Sequence, residues 1–266
     1  MFSRDYFNPG RPSSKGNQMK FERNGRWYKT DYLGYEGLAE STVSGLLRFS
    51  DLSPEEYVSY TTEQIAYNGT VFNGCSSPDF TDGWQLITLE RLFEQAYGIG
   101  ANRMIYAIPD HAERLKTLVD QTIRITGLET FGAYMSKMLT IDTLFLNEDR
   151  HSHNIAVMTN ARKEFKLAPF FDHGASLLSD TMLDYPLGQD PLLLRKKAKP
   201  RTFCEDFDEQ LDIAEELYGI QIHFSFGYQD AAAIVHSADI YLPEIQNRVI
   251  DLIMQRRNSH RYLFSG

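Results

Sequence analysis

Three polar side chains that could act on a phosphate follow apolar runs near the middle of the chain. Asp149 and Asn154, five residues apart, come after the run at residues 144–146, and Asp172 ends the run at residues 165–171. A carboxylate can orient a hydroxyl and accept its proton, while an amide oxygen and a second carboxylate can hold Mg²⁺ against nucleotide phosphates. The set therefore predicts phosphoryl transfer, with Asp149 as the base and Asn154 and Asp172 as metal ligands.

Each of these residues also has an ordinary structural explanation. Asp149 fits a loop residue or a helix cap, and Asn154 fits a turn. Their joint arrangement favours the functional interpretation. The short apolar runs at residues 155–158 and 165–171, joined by a polar turn at residues 159–163, predict a hairpin that carries Asp149 and Asn154 at one end and Asp172 at the other. His151 and His153 alone are too few ligands for a zinc site. We expect His151 to brace the loop through hydrogen bonds, and we expect no specific role for the polar side chain of His153.

Residues 147–154 resemble the catalytic loop of HipA-like serine/threonine kinases. The segment reads Asn-Glu-Asp-Arg-His-Ser-His-Asn, in the family's N-x-D-R-H-x-x-N pattern, and Phe171-Asp172 resembles the family's aromatic–aspartate metal motif. The resemblance implies an ATP- and Mg²⁺-dependent protein kinase acting on Ser or Thr, with a two-lobed α+β fold. Longer members carry an additional N-terminal domain with no counterpart in this sequence, so the short members are the better comparison.

A strand lysine and a helix glutamate are the next expected parts of such a site. Residues 20–30 predict a hairpin with an Asn-Gly turn, and strand alternation places Lys29 on the same face as Trp27. A lysine directed inward needs a carboxylate partner, and a predicted helix from Glu36 offers Glu36 and Glu40 on one face. In kinases such a pair positions the nucleotide phosphates. The resemblance favours Glu40 as the partner, and Glu36 remains an alternative.

The segment before the hairpin is rich in small polar residues and has two interpretations. Its composition is that of a disordered tail. Alternatively, its backbone N–H groups could cradle nucleotide phosphates, and a loop leading directly into a hairpin favours this second interpretation, as does a resemblance to the family's loop. The resemblance also implies control by phosphorylation of this loop. Because a phosphoserine would face the triphosphate and Asp172 with about −1.5 to −2 charges, we predict that phosphorylation of Ser13 or Ser14 is inhibitory. The predicted phosphate-binding residues are Ser13, Ser14, Lys15, Gly16 and Asn17.

The connection between the two predicted lobes is placed at the strand of residues 84–89. Backbone groups from Leu86 to Leu89 are expected to bind adenine there, an assignment based on position in the chain. The N-lobe, residues 1–90, is predicted as a small antiparallel sheet with one helix, and the C-lobe, residues 91–266, as mainly helical.

Two features of the C-lobe sequence carry further expectations. A helix at residues 128–146 is expected to deliver the catalytic loop, with Asp142 as a charge on the helix surface, and further helices are expected at residues 110–126, 205–218 and 228–257. The basic run at residues 195–201 is most simply a solvated loop. The alternative is a docking site for an acidic substrate, a nucleic-acid-bound target or phosphate.

Bulk properties narrow the class of protein. The 266 residues are 42% hydrophobic, which suffices for a core, and the net charge of −9 argues against direct nucleic-acid binding. No apolar run has membrane-spanning length, and two distant cysteines make a disulfide framework unexpected. We expect a cytoplasmic monomer that acts on a protein substrate. A small-molecule or lipid head-group kinase and a non-catalytic nucleotide-binding module are the alternatives.

Overall fold

This computed structural model describes residues 18–264. The first part of this range forms a four-stranded antiparallel sheet. Asn24 and Gly25 both have positive φ, 53° and 70°, which confirms the predicted two-residue hairpin turn. Tyr57 forms an isolated bridge to Phe170, and the third strand begins at Thr61. The strands are β1 (Lys20–Arg23), β2 (Arg26–Thr30), β3 (Thr61–Tyr67) and β4 (Thr70–Pro78), in the order β1-β2-β4-β3.

A second, three-stranded sheet carries the predicted catalytic hairpin. It consists of β5 (Gln85–Thr88), β6 (Ala156–Thr159) and β7 (Phe165–Leu167), in the order β5-β6-β7. Leu86 pairs with Met158, so the strand predicted at residues 84–89 belongs to this sheet and not to the first one. The chain therefore crosses from one sheet to the other at residues 79–84, earlier than the sequence suggested.

Helices form most of the remaining chain. The long central helix, α5, is buried at every position from residue 138 to residue 145 and supports the catalytic loop at its C-terminal end. The helix predicted at residues 228–257 is two helices, and Pro243, a residue that suits the first turn of a helix, begins the second. The helices are α1 (Glu36–Leu47), α2 (Leu89–Tyr97), α3 (Ala101–Tyr106), α4 (His111–Thr126), α5 (Phe131–Phe145), α6 (Pro191–Leu194), α7 (Phe207–Tyr218), α8 (Tyr228–His236) and α9 (Pro243–Ser259).

Helix α1 touches both parts of the protein. A Cβ atom on Gly37 would lie 2.5 Å from the carbonyl carbon of Gly74 in β4, so helix and strand meet backbone to backbone. A Cβ atom on Gly45 would lie 2.9 Å from Cγ2 of Ile234 in α8. The helix that carries Glu40 is therefore held between the first sheet and the helical part. Within residues 18–264, no helix is long and apolar enough to span a lipid bilayer.

Candidate active site

The catalytic loop begins where α5 ends. Leu146 adopts the left-handed conformation, with φ of 57°, and turns the chain out of the helix. Beyond it, Nδ2 of Asn154 donates to the carbonyl oxygen of Asp149 at 2.8 Å and lies 3.3 Å from Oδ2 of the same residue. Because Nδ2 is the donor, the carbonyl oxygen Oδ1 is the atom that Asn154 presents to a ligand. Asp149 and Asn154 thus lie together, as predicted.

Lys29 of the first sheet binds both Glu40 of helix α1 and Asp172, the second predicted metal ligand. Its Nζ atom lies 2.6 Å from Oε1 of Glu40 and 2.7 Å from Oδ1 of Asp172. The other oxygen of Glu40 accepts the N–H of His173 at 2.8 Å, which fixes the backbone next to Asp172. Asp172 has φ of 61°, a conformation that Asp tolerates better than most residues.

Glu40, and not Glu36, is the partner of the lysine. Both oxygens of Glu36 accept backbone N–H groups from the loop before α1, at 2.6 Å from Leu33, 3.1 Å from Gly34 and 3.2 Å from Tyr32. Glu36 therefore shapes that loop, and the buried Glu40 reaches the lysine. The side-chain geometry thus decides between the two candidates that the sequence offered.

The charges of this triad depend on one another. Burial alone lowers the pKa of Lys29, but the carboxylates of Asp172 and Glu40 outweigh burial and hold the pKa well above its ordinary value. Burial would raise the pKa of Asp172, yet Lys29 and Lys20 reverse this and hold the pKa far below its ordinary value. Asp172 is therefore ionised at neutral pH, the state in which a carboxylate binds a divalent cation.

The main anchor of the catalytic loop is a buried arginine that the sequence did not single out. Arg150 donates to both oxygens of Asp142, at 2.9 and 3.1 Å. It also donates to the carbonyl oxygens of Asn154 at 2.9 Å and Phe171 at 2.8 Å. One guanidinium group therefore ties α5 to the two segments that carry the metal-binding candidates.

Asp142 was predicted as a helix-surface charge, and this prediction is wrong. Its side chain is fully buried, and it binds Arg150 and the amide of Asn147. Burial raises the pKa of Asp142, while Arg150 opposes that effect. A usable signal was present in the sequence, since a carboxylate inside an apolar helix must find a partner, and an arginine follows eight residues later.

The predicted brace, His151, makes only local contacts. Its Nδ1 atom accepts the N–H of His153 at 3.2 Å, and its Nε2 atom lies 3.5 Å from Oδ1 of Asp149. The imidazole lines the larger cavity described below together with His153. Long-range hydrogen bonds to this loop are made instead by Arg150, Glu148 and Ser152.

Two cavities meet at the metal-binding candidates. The larger has a volume of about 580 Å³, and its walls combine aromatic rings with basic side chains. A small recess of about 40 Å³ adjoins Asp149, and both Asn154 and Asp172 line the two spaces. The walls of the larger cavity include Trp27, Tyr60, Phe80 and Phe171, the basic residues Lys20, Lys29 and Arg91, and also Leu86 and Thr88.

The predicted adenine-binding strand is only partly supported. Leu86 lines the larger cavity, whereas Leu89 is fully buried and its N–H donates to the carbonyl oxygen of Ile155 at 2.8 Å. Leu89 is therefore not available as predicted, because β5 is joined to β6. The crossing segment offers Asp79, Phe80 and Thr81 to the cavity instead. The predicted phosphate loop, Ser13, Ser14, Lys15, Gly16 and Asn17, lies outside the described residues.

A solved kinase structure is similar to nearly the whole chain. No protein-family model and no curated protein matches the sequence. The crystal structure of the Helicobacter pylori proinflammatory kinase CtkA covers 95% of this chain and 92% of its own, with a TM-score of 0.62 and 16% sequence identity. The chain has a kinase-like fold. At this identity the likeness establishes the fold alone, so the predicted two-lobed α+β class is confirmed, while the lobe boundary near residue 90 stays a prediction.

Proposed function

We propose that this protein is an ATP- and Mg²⁺-dependent kinase that phosphorylates Ser or Thr in a protein, as in the HipA-like family. The observation that carries the proposal is the position of Asn154 and Asp172 in the wall between two cavities. One cavity is lined by Lys29, which the buried Glu40 holds, and is large enough for a nucleotide, and the other adjoins Asp149. A phosphoryl group must pass between two such spaces during transfer.

Each side chain has a defined task in this proposal. Asn154 and Asp172 offer the hard oxygen ligands that suit Mg²⁺, whose chemistry is to neutralise phosphate charge. Lys29, held by Glu40, contacts the nucleotide phosphates. Asp149 orients the acceptor hydroxyl and takes its proton as the new oxygen–phosphorus bond forms and the bond to the leaving ADP breaks.

The acceptor is the less constrained part of the proposal. The choice of Ser or Thr rests on the resemblance of residues 147–154 to the catalytic loop of HipA-like kinases, and the recess beside Asp149 adjoins both metal-binding candidates. A small-molecule kinase remains the second candidate, because a fold does not determine its substrate. A non-catalytic nucleotide-binding module would not need the proton acceptor Asp149 beside the metal-binding side chains.

The test compares two carboxylate variants under one assay. With labelled ATP and Mg²⁺, Asp149→Asn should lower kcat by about 10²–10⁴-fold with nearly unchanged Mg-ATP affinity, because the base acts on the acceptor. Asp172→Asn should weaken Mg-ATP binding at least about tenfold, because it removes a metal carboxylate. Asp251→Asn, an exposed aspartate on α9, is the matched control and should leave both quantities unchanged.

The outcomes separate the candidate functions. Label in protein supports the protein kinase, and label in small molecules of a lysate supports the second candidate. Measurable ATP binding without any transfer would support the binding module and contradict the proposal. An equal loss of nucleotide affinity in both variants would overturn the division of roles between the two aspartates.

A further inference from the structure

A group of metal-ligating side chains lies away from the two cavities, where three elements meet. His111 is the first residue of α4, Cys204 lies in the loop before α7, and Glu209 lies in the first turn of α7. One ligand atom from each of the three lies within 4.8 Å of the others. Nδ1 of His111 is 2.7 Å from Oε1 of Glu209.

The spacing of these atoms is close to that of a tetrahedral site. Zinc lies about 2.0–2.3 Å from its nitrogen, oxygen and sulfur ligands, so ligand atoms in a tetrahedron are separated by about 3.3–3.8 Å. The side chains of His111 and Glu209 are 34% and 50% exposed and can shift, while Cys204 is buried and fixed. A shift of about 1 Å or less in the two mobile side chains would therefore complete the arrangement.

The donor set selects zinc over the hard cations. Thiolate and imidazole are soft or borderline ligands that Mg²⁺ and Ca²⁺ do not prefer. One thiolate and one carboxylate neutralise a divalent ion, and three protein ligands leave the fourth position to water. We propose that His111, Cys204 and Glu209 form a zinc site that ties the loop before α7 to the starts of α4 and α7.

The site would hold a segment that contacts the catalytic loop. The N–H of Lys199 donates to Glu148 at 3.1 Å, and the hydroxyl of Thr202 donates to the carbonyl oxygen of Arg150 at 2.5 Å. Glu148 and Arg150 flank Asp149 in the sequence, and Cys204 follows Thr202 by two residues. Zinc therefore fixes the end of the segment that supports both neighbours of Asp149.

If these three residues bind no metal, their response to added zinc should differ. Without metal, Nδ1 of His111 and Oε1 of Glu209 share a hydrogen bond, and the thiol of Cys204 donates to the carbonyl oxygen of Asp206 at 2.9 Å. When zinc binds, the zinc–sulfur bond forms as the thiol proton passes to the buffer, and the hydrogen bond between His111 and Glu209 is replaced by bonds to zinc. Zinc binding must therefore release the thiol proton, whereas the hydrogen bond alone binds no metal.

Metal titration of the full-length chain tests the site. After chelator treatment, one equivalent of Zn²⁺ should bind with submicromolar affinity in competition with a chromophoric chelator, and binding should raise Tm. Co²⁺ in place of zinc should give sulfur-to-cobalt charge-transfer absorption. Heats of binding in buffers of different ionisation enthalpy should report the released protons.

The variants identify the ligands. Cys204→Ser should remove the sulfur band although Cys75 is intact, and Cys204→Ser and His111→Ala should each weaken Zn²⁺ binding at least tenfold. His223→Ala is the matched control, because His223 forms another exposed histidine–carboxylate pair, with Asp51, at 3.4 Å. Should Cys204→Ser fail to fold, the exposed His111 keeps the test decisive. No stoichiometric Zn²⁺ binding, a cobalt spectrum without a sulfur band, or unchanged affinity in His111→Ala would overturn the proposal.

Discussion

Removing the charge of Asp142 tests how the catalytic loop is held. Asp142→Asn keeps the shape of the side chain but leaves the guanidinium of Arg150 without a counter-ion in a site where both side chains are at most 2% exposed. Removing one partner of a buried ion pair costs about 3–5 kcal/mol. We expect the free energy of unfolding to fall by about that amount, a large share of the 5–15 kcal/mol of a typical domain.

The same substitution should impair the proposed reaction. Arg150 also donates to the backbone of Asn154 and Phe171, next to or at the metal-binding candidates. When Asp142 no longer holds it, both ligand positions loosen together. We expect Mg-ATP affinity to fall about tenfold, which corresponds to about 1.4 kcal/mol.

A double variant separates stability from function. Asp142→Leu with Arg150→Met replaces the pair by apolar side chains, an exchange that is often neutral or stabilising by about 1–4 kcal/mol. Two backbone carbonyls then lose their donor, at about 1–3 kcal/mol each. At the midpoints of these ranges the unfolding free energy should lie about 2 kcal/mol below the wild-type value and above that of Asp142→Asn, while Mg-ATP affinity and turnover stay low.

Urea denaturation and ATP titration measure the two quantities. Recovery of both stability and turnover in the double variant would show that Arg150 serves the fold alone. A loss below about 1 kcal/mol in Asp142→Asn would refute the argument from the buried charge, since this is the size expected for an exposed pair.

Three further predictions concern helix α1 and its surroundings. Glu40→Gln should raise the KM for ATP and lower kcat in transfer assays, and an equal effect from Glu36→Gln would contradict the assigned partner. Gly37→Ala should lower kcat/KM about tenfold or more because the added Cβ meets the backbone of β4, whereas Gly188→Ala, whose Cβ would meet nothing within 4 Å, should change it little. Burial, followed by Glu36, raises the pKa of Asp31 to about 7, so the folded state favours its protonated form. The contribution of Asp31 to the free energy of unfolding is therefore greatest below about pH 4 and is lost as the pH rises towards 7. Because the side chain is partly exposed, we expect this loss to be about 2 kcal/mol. Urea denaturation should show this loss in the wild type but not in Asp31→Asn, and equal pH profiles would contradict it.

Local sequence patterns predicted the parts of the site that lie beside apolar runs. Asp149, Asn154 and Asp172 come together because the helix and strands next to them are apolar and adjacent in the chain. Lys29 was predictable from strand alternation, since an inward lysine needs a carboxylate. The choice between two glutamates four residues apart required the structure, because both lie on one face of the helix.

Long-range pairings were beyond local patterns. The bond from Arg150 to Asp142 depends on how the loop folds back on the end of α5, which no periodicity reveals. The crossing between the two sheets was predicted too late in the chain, because the sequence of β5 is equally compatible with one more strand of the first sheet. Its pairing with β6 involves residues about 70 positions later in the chain, and a hydrophobic pattern does not specify its partner.

The position of α1 between β4 and α8 has a consequence for motion. A rotation of the first sheet away from the helical part must separate α1 either from the strand at Gly74 or from Ile234, and both contacts are tightly packed. Opening the larger cavity in this way is therefore slow compared with side-chain motion. In the proposed reaction, we expect the departure of the spent nucleotide, and not the transfer itself, to set the turnover rate.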